Sequence, residues 1–443
     1  MRTKNWLAIF ASPLFLILAT KVSAKEAALS RPEKVAIVEA LDSTLIANYV
    51  FPDIARSVGP VLREKLQNGD YASASTKAEM AQKLTEDLVK ITHDLHFAVG
   101  VDQKWVADYR SEKNPVRKAE IRKEELAELE KTNFGFDAVS RLDGNIGYIR
   151  FSYFANPELA YDAAAATMRF VENSDAIIID LRYNDGGYLE MAQFLASYFF
   201  AADKDQLLFD YYYNEDGKRI DRGQWVLPAL PGKRMTDKPL YILTGSTSFS
   251  SAEWFSYAMK KLGRATIIGE RTAGGAHPVD RKPVNDDFFL QVPIGQIRDP
   301  VDFGDFEGVG VQPDVPTSSI HALALAQKLA LENLAKTAPS KAEQYAWFLP
   351  ALTAQIQPAD VDADQMTAMV GKYEGREINR ENGTLFYIWR DRFRVALAPL
   401  GSNLFAVEGV ADFRYRPVYE NGKVTALERI NRTGPNQVYK RID

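Results

Sequence analysis

The chain holds four histidines (His93, His96, His277 and His321) and no cysteine. Without a thiol, nucleophilic catalysis requires a hydroxyl activated by a base, and the usual base is His. The strongest hydroxyl setting is Tyr241 to Glu253, Y-I-L-T-G-S-T-S-F-S-S-A-E. An apolar strand pattern ends there at Gly245-Ser246, and a helix is predicted from about Ser251. Ser250 then stands at a helix N-terminus, where free N–H groups and the positive dipole end favour an oxyanion. Ser250-Ser251-Ala252-Glu253 is equally an S-x-x-E capping box, which would make Ser250 a cap and nothing more. Ser246, Ser248 and Ser251 are competing hydroxyls. A second turn adds weight: Arg182-Tyr183-Asn184-Asp185-Gly186-Gly187 follows a buried apolar run and precedes a helix. Paired glycines there permit positive φ and a close backbone approach to a ligand, although Asp-Gly-Gly is often only a turn.

The elements that must position these residues are legible from spacing. Ser30 to Glu33 and Thr76 to Glu79 read as capping boxes. Val35, Val38, Leu41 and Leu45, then Ile54, Val58, Val61 and Leu62, then Met80, Leu84, Leu88 and Ile91 form three helical stripes, predicted as core. The Lys-, Arg- and Glu-rich stretch 111–131 reads as a solvated helix or connector. From about residue 133 strands and helices alternate. Strands are predicted at Ile146–Phe151, Ala176–Leu181, Leu240–Thr244 and Ala265–Gly269, and helices at Pro157–Val171, 188–200 and Ala252–Leu262. Such alternation implies an α/β unit with largely parallel pairing. Helical periodicity returns over 319–355 with a break at Pro339. Beyond Pro358 short apolar runs surround Asn382-Gly383 and Asn421-Gly422, both hairpin signals, and predict a small antiparallel β domain.

Composition sets outer bounds. Of 443 residues 46% are hydrophobic, 26% charged and 11% aromatic, the proportions of ordinary globular chains. The net charge of −5 comes without a basic stripe, so nucleic acid is not an expected partner. Arg2 and Lys4 precede the largely apolar run Leu7 to Thr20, and Val22-Ser23-Ala24 follows as a small-residue cleavage site. These are the three parts of a secretory signal peptide, and the apolar run is too short for a membrane span. The expected mature chain begins at Lys25, is exported to the periplasm or the extracellular space, and has no membrane span.

Taken together the motifs resemble a family of serine peptidases that includes C-terminal processing proteases, tricorn protease and the modules of interphotoreceptor retinoid-binding protein. The resemblance covers roughly residues 30–340. It rests on Asn133-Phe134-Gly135-Phe136 with Gly144 to Tyr148, on Asp180 to Gly187 and on Thr247 to Glu253. Gly263 to Gly275 and Glu307-Gly308-Val309-Gly310-Val311-Gln312-Pro313-Asp314 complete it. With no segment that reads as a PDZ domain, the chain is most similar to the retinoid-binding-protein and tricorn branch. The resemblance implies a crotonase/ClpP-like α/β core at 133–357, after a signal peptide at 1–24 and an N-terminal three-helix domain at 25–132. A C-terminal antiparallel β domain at 358–443 follows.

Carried over by position, the resemblance makes Ser250 the nucleophile, with oxyanion donors at Ser251 and the Gly186-Gly187 turn. Processing proteases hold a Lys base where this chain has Gly275. Tricorn-like members use a His that corresponds to His96 and a Glu that corresponds to Glu307. In tricorn protease a Ser precedes that His and links it to the Glu; here Leu95 stands in its place. His93 is a rival base, His277 is placed to line the cleft, and His321 and Asp180 read as structural. The implied function is an exported serine-type peptidase acting on peptide or protein substrates through Ser250, His96 and Glu307. Asp, Glu and His form no ligand-spacing motif, so no cofactor or metal is implied. Two alternatives share the fold: a non-catalytic binding protein for apolar ligands, and an esterase using the same triad.

Overall fold

The computed structural model describes residues 28–111, 114–215, 218–299, 301–302, 304–390, 392–401 and 403–443. The signal peptide expected at 1–24 lies outside them. Three helices come first, α1 (Arg31–Asn48), α2 (Pro52–Asn68) and α3 (Lys77–Thr92), and both capping boxes form, at Ser30–Glu33 and Thr76–Glu79. Their buried faces are centred on Val38, Leu41 and Leu45, on Val58 and Leu62, and on Met80, Leu84 and Leu88. Val35 and Ile54 are exposed, contrary to the stripes read from spacing. The buried arcs turn instead toward Ile37 and Ala55, because Phe288, Leu290 and Val292 from far along the chain complete this core. The three helices therefore do not close a core on their own. β1 (Ala98–Val101) follows, then α4 (Gln103–Arg110) and α5 (Pro115–Lys131). No residue of α5 is buried, as its charge density implies.

The α/β unit runs through β2 (Phe136–Leu142), β3 (Ile146–Phe151), α6 (Pro157–Val171), β4 (Ala176–Asp180) and α7 (Leu189–Ser197). It continues with β5 (Leu207–Glu215), β6 (Lys218–Trp225), β7 (Leu240–Thr244), α8 (Ser251–Lys261) and β8 (Thr266–Gly269). β9 (Val279–Pro283), β10 (Phe288–Pro293), β11 (Gly295–Arg298), β12 (Val315–Pro316) and α9 (Ser319–Thr337) complete it. Six strands form one sheet in the order β12-β8-β7-β4-β3-β2, parallel throughout except for β2. The A-I-I-I-D run of β4 is buried on both faces, as a central parallel strand requires. Ile177 and Ile179 pack with α6, α7 and α8, while Ala176 and Ile178 pack with α9 and the helices at 342–356. Two smaller antiparallel sheets, β1-β10-β9 and β11-β5-β6, flank the large one. The strands β5, β6, β9, β10 and β11 are not among those read from the sequence.

Between Gly371 and Lys440 eight strands pair in chain order as an antiparallel meander with its own core. Asn382 and Asn421, each at φ 49°, turn two of its hairpins, the left-handed geometry that Asn-Gly supplies.

Candidate active site

β4 and β7 are parallel neighbours in the register Ile177↔Leu240 to Asp180↔Leu243, so both release the chain at the same sheet edge. Ligands of open α/β sheets bind at such carboxyl ends. The two loops are tied together by hydrogen bonds. Ser248 Oγ donates to the Leu181 carbonyl at 2.6 Å, Thr247 Oγ1 to that of Arg182 at 2.9 Å, and Ser251 Oγ to that of Gly187 at 2.6 Å. The Phe249 N–H donates to the Asn184 carbonyl at 3.0 Å. Gly186 has φ 97°, and a Cβ there would stand 2.6 Å from Ser250 Cβ. Only glycine lets the first loop approach the serine this closely.

Ser250 itself adopts φ 53° and ψ −121°, a costly conformation for a non-glycine residue. Glu253 Oε2 holds it by accepting from the Ser250 N–H at 2.9 Å. Of the rival hydroxyls, Ser248 and Ser251 are engaged with carbonyls, and Ser246 is exposed. The glycine donors differ from expectation. The Gly186 N–H already donates to Asn184 Oδ1 at 2.9 Å, which corrects its assignment as an oxyanion donor. The N–H groups of Gly187 and Ser251 have no partner among the described residues.

Glu253 is fully buried and does more than cap α8. It also accepts from the N–H groups of Gly274 at 2.6 Å and Gly275 at 2.8 Å, and from Thr272 Oγ1. Burial pushes its carboxyl up to about 7 against these hydrogen bonds, which favour the charged form. One carboxylate thus ties the turn at Ser250 to the loop at 272–275.

His96 packs against that same loop at Gly275. It is 2% exposed, its ring sits 4.7 Å from that of Phe249, and both ring nitrogens are buried without a hydrogen-bond partner among the described residues. A Cβ built on Gly275 would meet Phe249 Cε2 at 2.2 Å and His96 Cε1 at 2.8 Å. The place where a Lys would project is therefore filled by the imidazole and the phenyl ring.

The acid beside His96 is Asp94, and Glu307 does not hydrogen-bond the ring. Asp94 Oδ1 accepts from the His96 N–H at 3.0 Å and lies 3.6 Å from Nδ1. Its other oxygen is 2.6 Å from His277 Nδ1. Glu307 Oε2 accepts from the Ala276 N–H at 2.5 Å and stands 3.6 Å from His277 Nδ1. The expected pairing of Glu307 with His96 is thus replaced by a cluster of two acids and two imidazoles. Burial raises the Asp94 carboxyl, but the His277 hydrogen bond and the neighbouring His96 imidazole outweigh it and hold Asp94 well below the usual range. Burial lowers His277, but Asp94 outweighs it and the imidazole is raised. Burial, then the charge of Asp94, raises Glu307.

His93, the rival base, is the exposed C-cap of α3 at φ 58°, and His321 lies in the first turn of α9. Asp180 is buried on Tyr148 Oη at 2.7 Å and Arg182 Nε at 2.9 Å. Asp94, Glu253 and the His277 contact escaped the sequence reading. For Asp94 a signal existed, since Asp-x-His permits the local turn in which the side chain accepts the N–H two residues on.

Two family descriptions match this chain. Residues 145–317 match Peptidase family S41, and residues 22–137 match the N-terminal domain of Peptidase_S41 in eukaryotic IRBP. These two segments of the chain carry Peptidase family S41 domains, a family whose carboxyl-terminal-processing members are serine peptidases. A carboxyl-terminal-processing protease of Synechocystis is 27% identical over 177 residues, covering 40% of this chain and 38% of that one. Its counterpart in Picosynechococcus is 24% identical over 180 residues, covering 40% and 41%. The chain thus spans about two fifths of the length of these curated relatives. A lipoprotein from Streptococcus agalactiae superposes with a TM-score of 0.44 at 18% identity, over 69% of this chain and 98% of that one.

Proposed function

We propose that this protein is an exported serine-type peptidase in which Ser250 attacks the scissile carbonyl and His96 takes its proton. His96 then protonates the leaving amine, and the N–H groups of Gly187 and Ser251 hold the oxyanion. Asp94 orients the imidazole, and Glu307 adds negative charge behind the cluster. The supporting observation is one conjunction. A strained serine beside two unpartnered N–H groups shares, through Glu253, a loop with a buried histidine whose two nitrogens are unpaired. Apo sites often lack the final nucleophile–base hydrogen bond, which tightens when substrate binds. Residues 1–24 supply the export signal, and no helix among the described residues is long and apolar enough to cross a membrane.

The test is turnover of an unstructured peptide by the purified mature chain and by Ser250→Ala. The proposal expects hydrolysis by the first and none by the second. Equal rates in both would discard Ser250 as nucleophile.

A further inference from the structure

Behind His96, the donor atoms of Asp94, His277 and Glu307 all lie within 4.8 Å of one another. A carboxylate cluster alone would be unremarkable, but two further groups are left without partners here. Glu307 Oε1 is buried and unpaired, and so are both ring nitrogens of His96, itself 98% buried with Nδ1 3.6 Å from Asp94 Oδ1. Buried polar atoms are almost always satisfied, and exceptions call for an explanation such as an ion.

The chemistry of the four donors names the ion. Two carboxylates balance a divalent cation, and mixed imidazole and carboxylate ligands suit zinc. We propose that Asp94, His277 and Glu307, with His96 as the fourth donor, form a Zn²⁺ site. Tetrahedral ligands at about 2.1 Å from zinc stand about 3.4 Å apart. The His277–Glu307 and Asp94–His96 separations, 3.6 Å each, already match that spacing. The 2.6 Å contact between Asp94 and His277 must open, the ion taking the place of the shared hydrogen, and the His96 ring must move in from Asp94 toward the other two donors. The ligands come from three separate segments, so no ligand spacing marks them in the sequence.

Occupation has a functional consequence. A His96 that ligates zinc cannot accept the Ser250 proton, so the ion silences the enzyme reversibly. This consequence rests on the peptidase reading; the site itself does not.

The experiment separates the two. The Ser250→Ala protein is titrated with Zn²⁺ by calorimetry and with Co²⁺ by visible absorption. One ion per chain is expected, with the intense d–d bands of tetrahedral cobalt that Zn²⁺ then abolishes. His277→Gln and Glu307→Gln, each checked for folding by circular dichroism, should weaken binding by more than the roughly 10–100-fold that losing an outer-shell partner costs. His321→Ala should not change it. Absence of binding, or unchanged affinity and spectrum in folded His277→Gln and Glu307→Gln, overturns the site. In the unsubstituted protein, Zn²⁺ should stop peptide hydrolysis and a chelator restore it. Zinc binding in a chain that hydrolyses nothing with chelator present would refute the peptidase reading and leave the site standing. Hydrolysis with no zinc binding would do the reverse.

Discussion

At the residue scale the acid nearest the imidazole decides how the base is held. Asp94 touches the His96 backbone and faces its ring, whereas Glu307 bonds the Ala276 N–H. His96→Ala should cost about 10²–10⁴-fold in turnover, the usual worth of general acid–base catalysis. Asp94→Asn should cost more than Glu307→Gln, yet less than the roughly 10⁴-fold loss for a directly bonded triad acid. Steady-state kinetics on the three variants check the order, and a reversed ranking of Asp94 and Glu307 would return the orienting role to Glu307. The same pair predicts a pH signature in stability. His277 is raised, so its contribution is complete below its unfolded pKa of about 6.5 and is lost as pH climbs through the raised value. Asp94 is lowered, so its contribution is present above about 3.9 and is lost as pH falls through the depressed value. The Tm gap between the native chain and Asp94→Asn should therefore be widest between about pH 4 and 6.5 and narrow toward pH 9. A gap that stays constant to pH 9 would mean the histidine is neutral throughout.

At the scale of elements the site depends on two loops that glycine and one buried carboxylate bring together. Gly275 leaves room that the rings of Phe249 and His96 fill. Gly275→Ala must push one of them aside, and a displacement near 1 Å can cost about 10²-fold in rate. Peptide turnover should drop by about that factor while thermal unfolding shows a folded protein; an unaffected rate would mean His96 is free to shift without consequence. This scale also shows what was legible. The β4 and β7 strands, the turns after them and the helices α6 and α8 carry periodic patterns and punctuation, so their places could be read directly. The strands β5 and β6 went unread, although Asp216-Gly217 between them is a hairpin signal in the sequence. The Asp94–His277 contact joins residues 183 apart in the chain. No local pattern encodes such a pairing, because it arises only when the 93–97 segment and the 272–277 loop dock. Glu253 was readable as a cap; its three extra donors belong to another loop.

At the scale of the whole molecule, the candidate groups all precede Pro313, while the C-terminal sheet has a separate core and packs against the helices at 342–356. Trp347 Nε1 donates to the Ala411 carbonyl at 2.8 Å, and the Arg414 guanidinium lies 4.2 Å from the Trp347 ring. Truncation after Gln357 should therefore keep peptide turnover within a few-fold and lower Tm by uncovering Trp347 and Phe348. Lost turnover in a folded truncation would show that the sheet helps build or close the site. The central claim, an activated serine at the edge of the parallel sheet, is tested most directly by a fluorophosphonate probe. The mature protein is incubated with it, digested, and the modified residue located by mass spectrometry. Stoichiometric modification of Ser250 is expected, slowing sharply in His96→Ala; modification of Ser246, Ser248 or Ser251 instead, or an equal rate without His96, would contradict an activated serine at this edge.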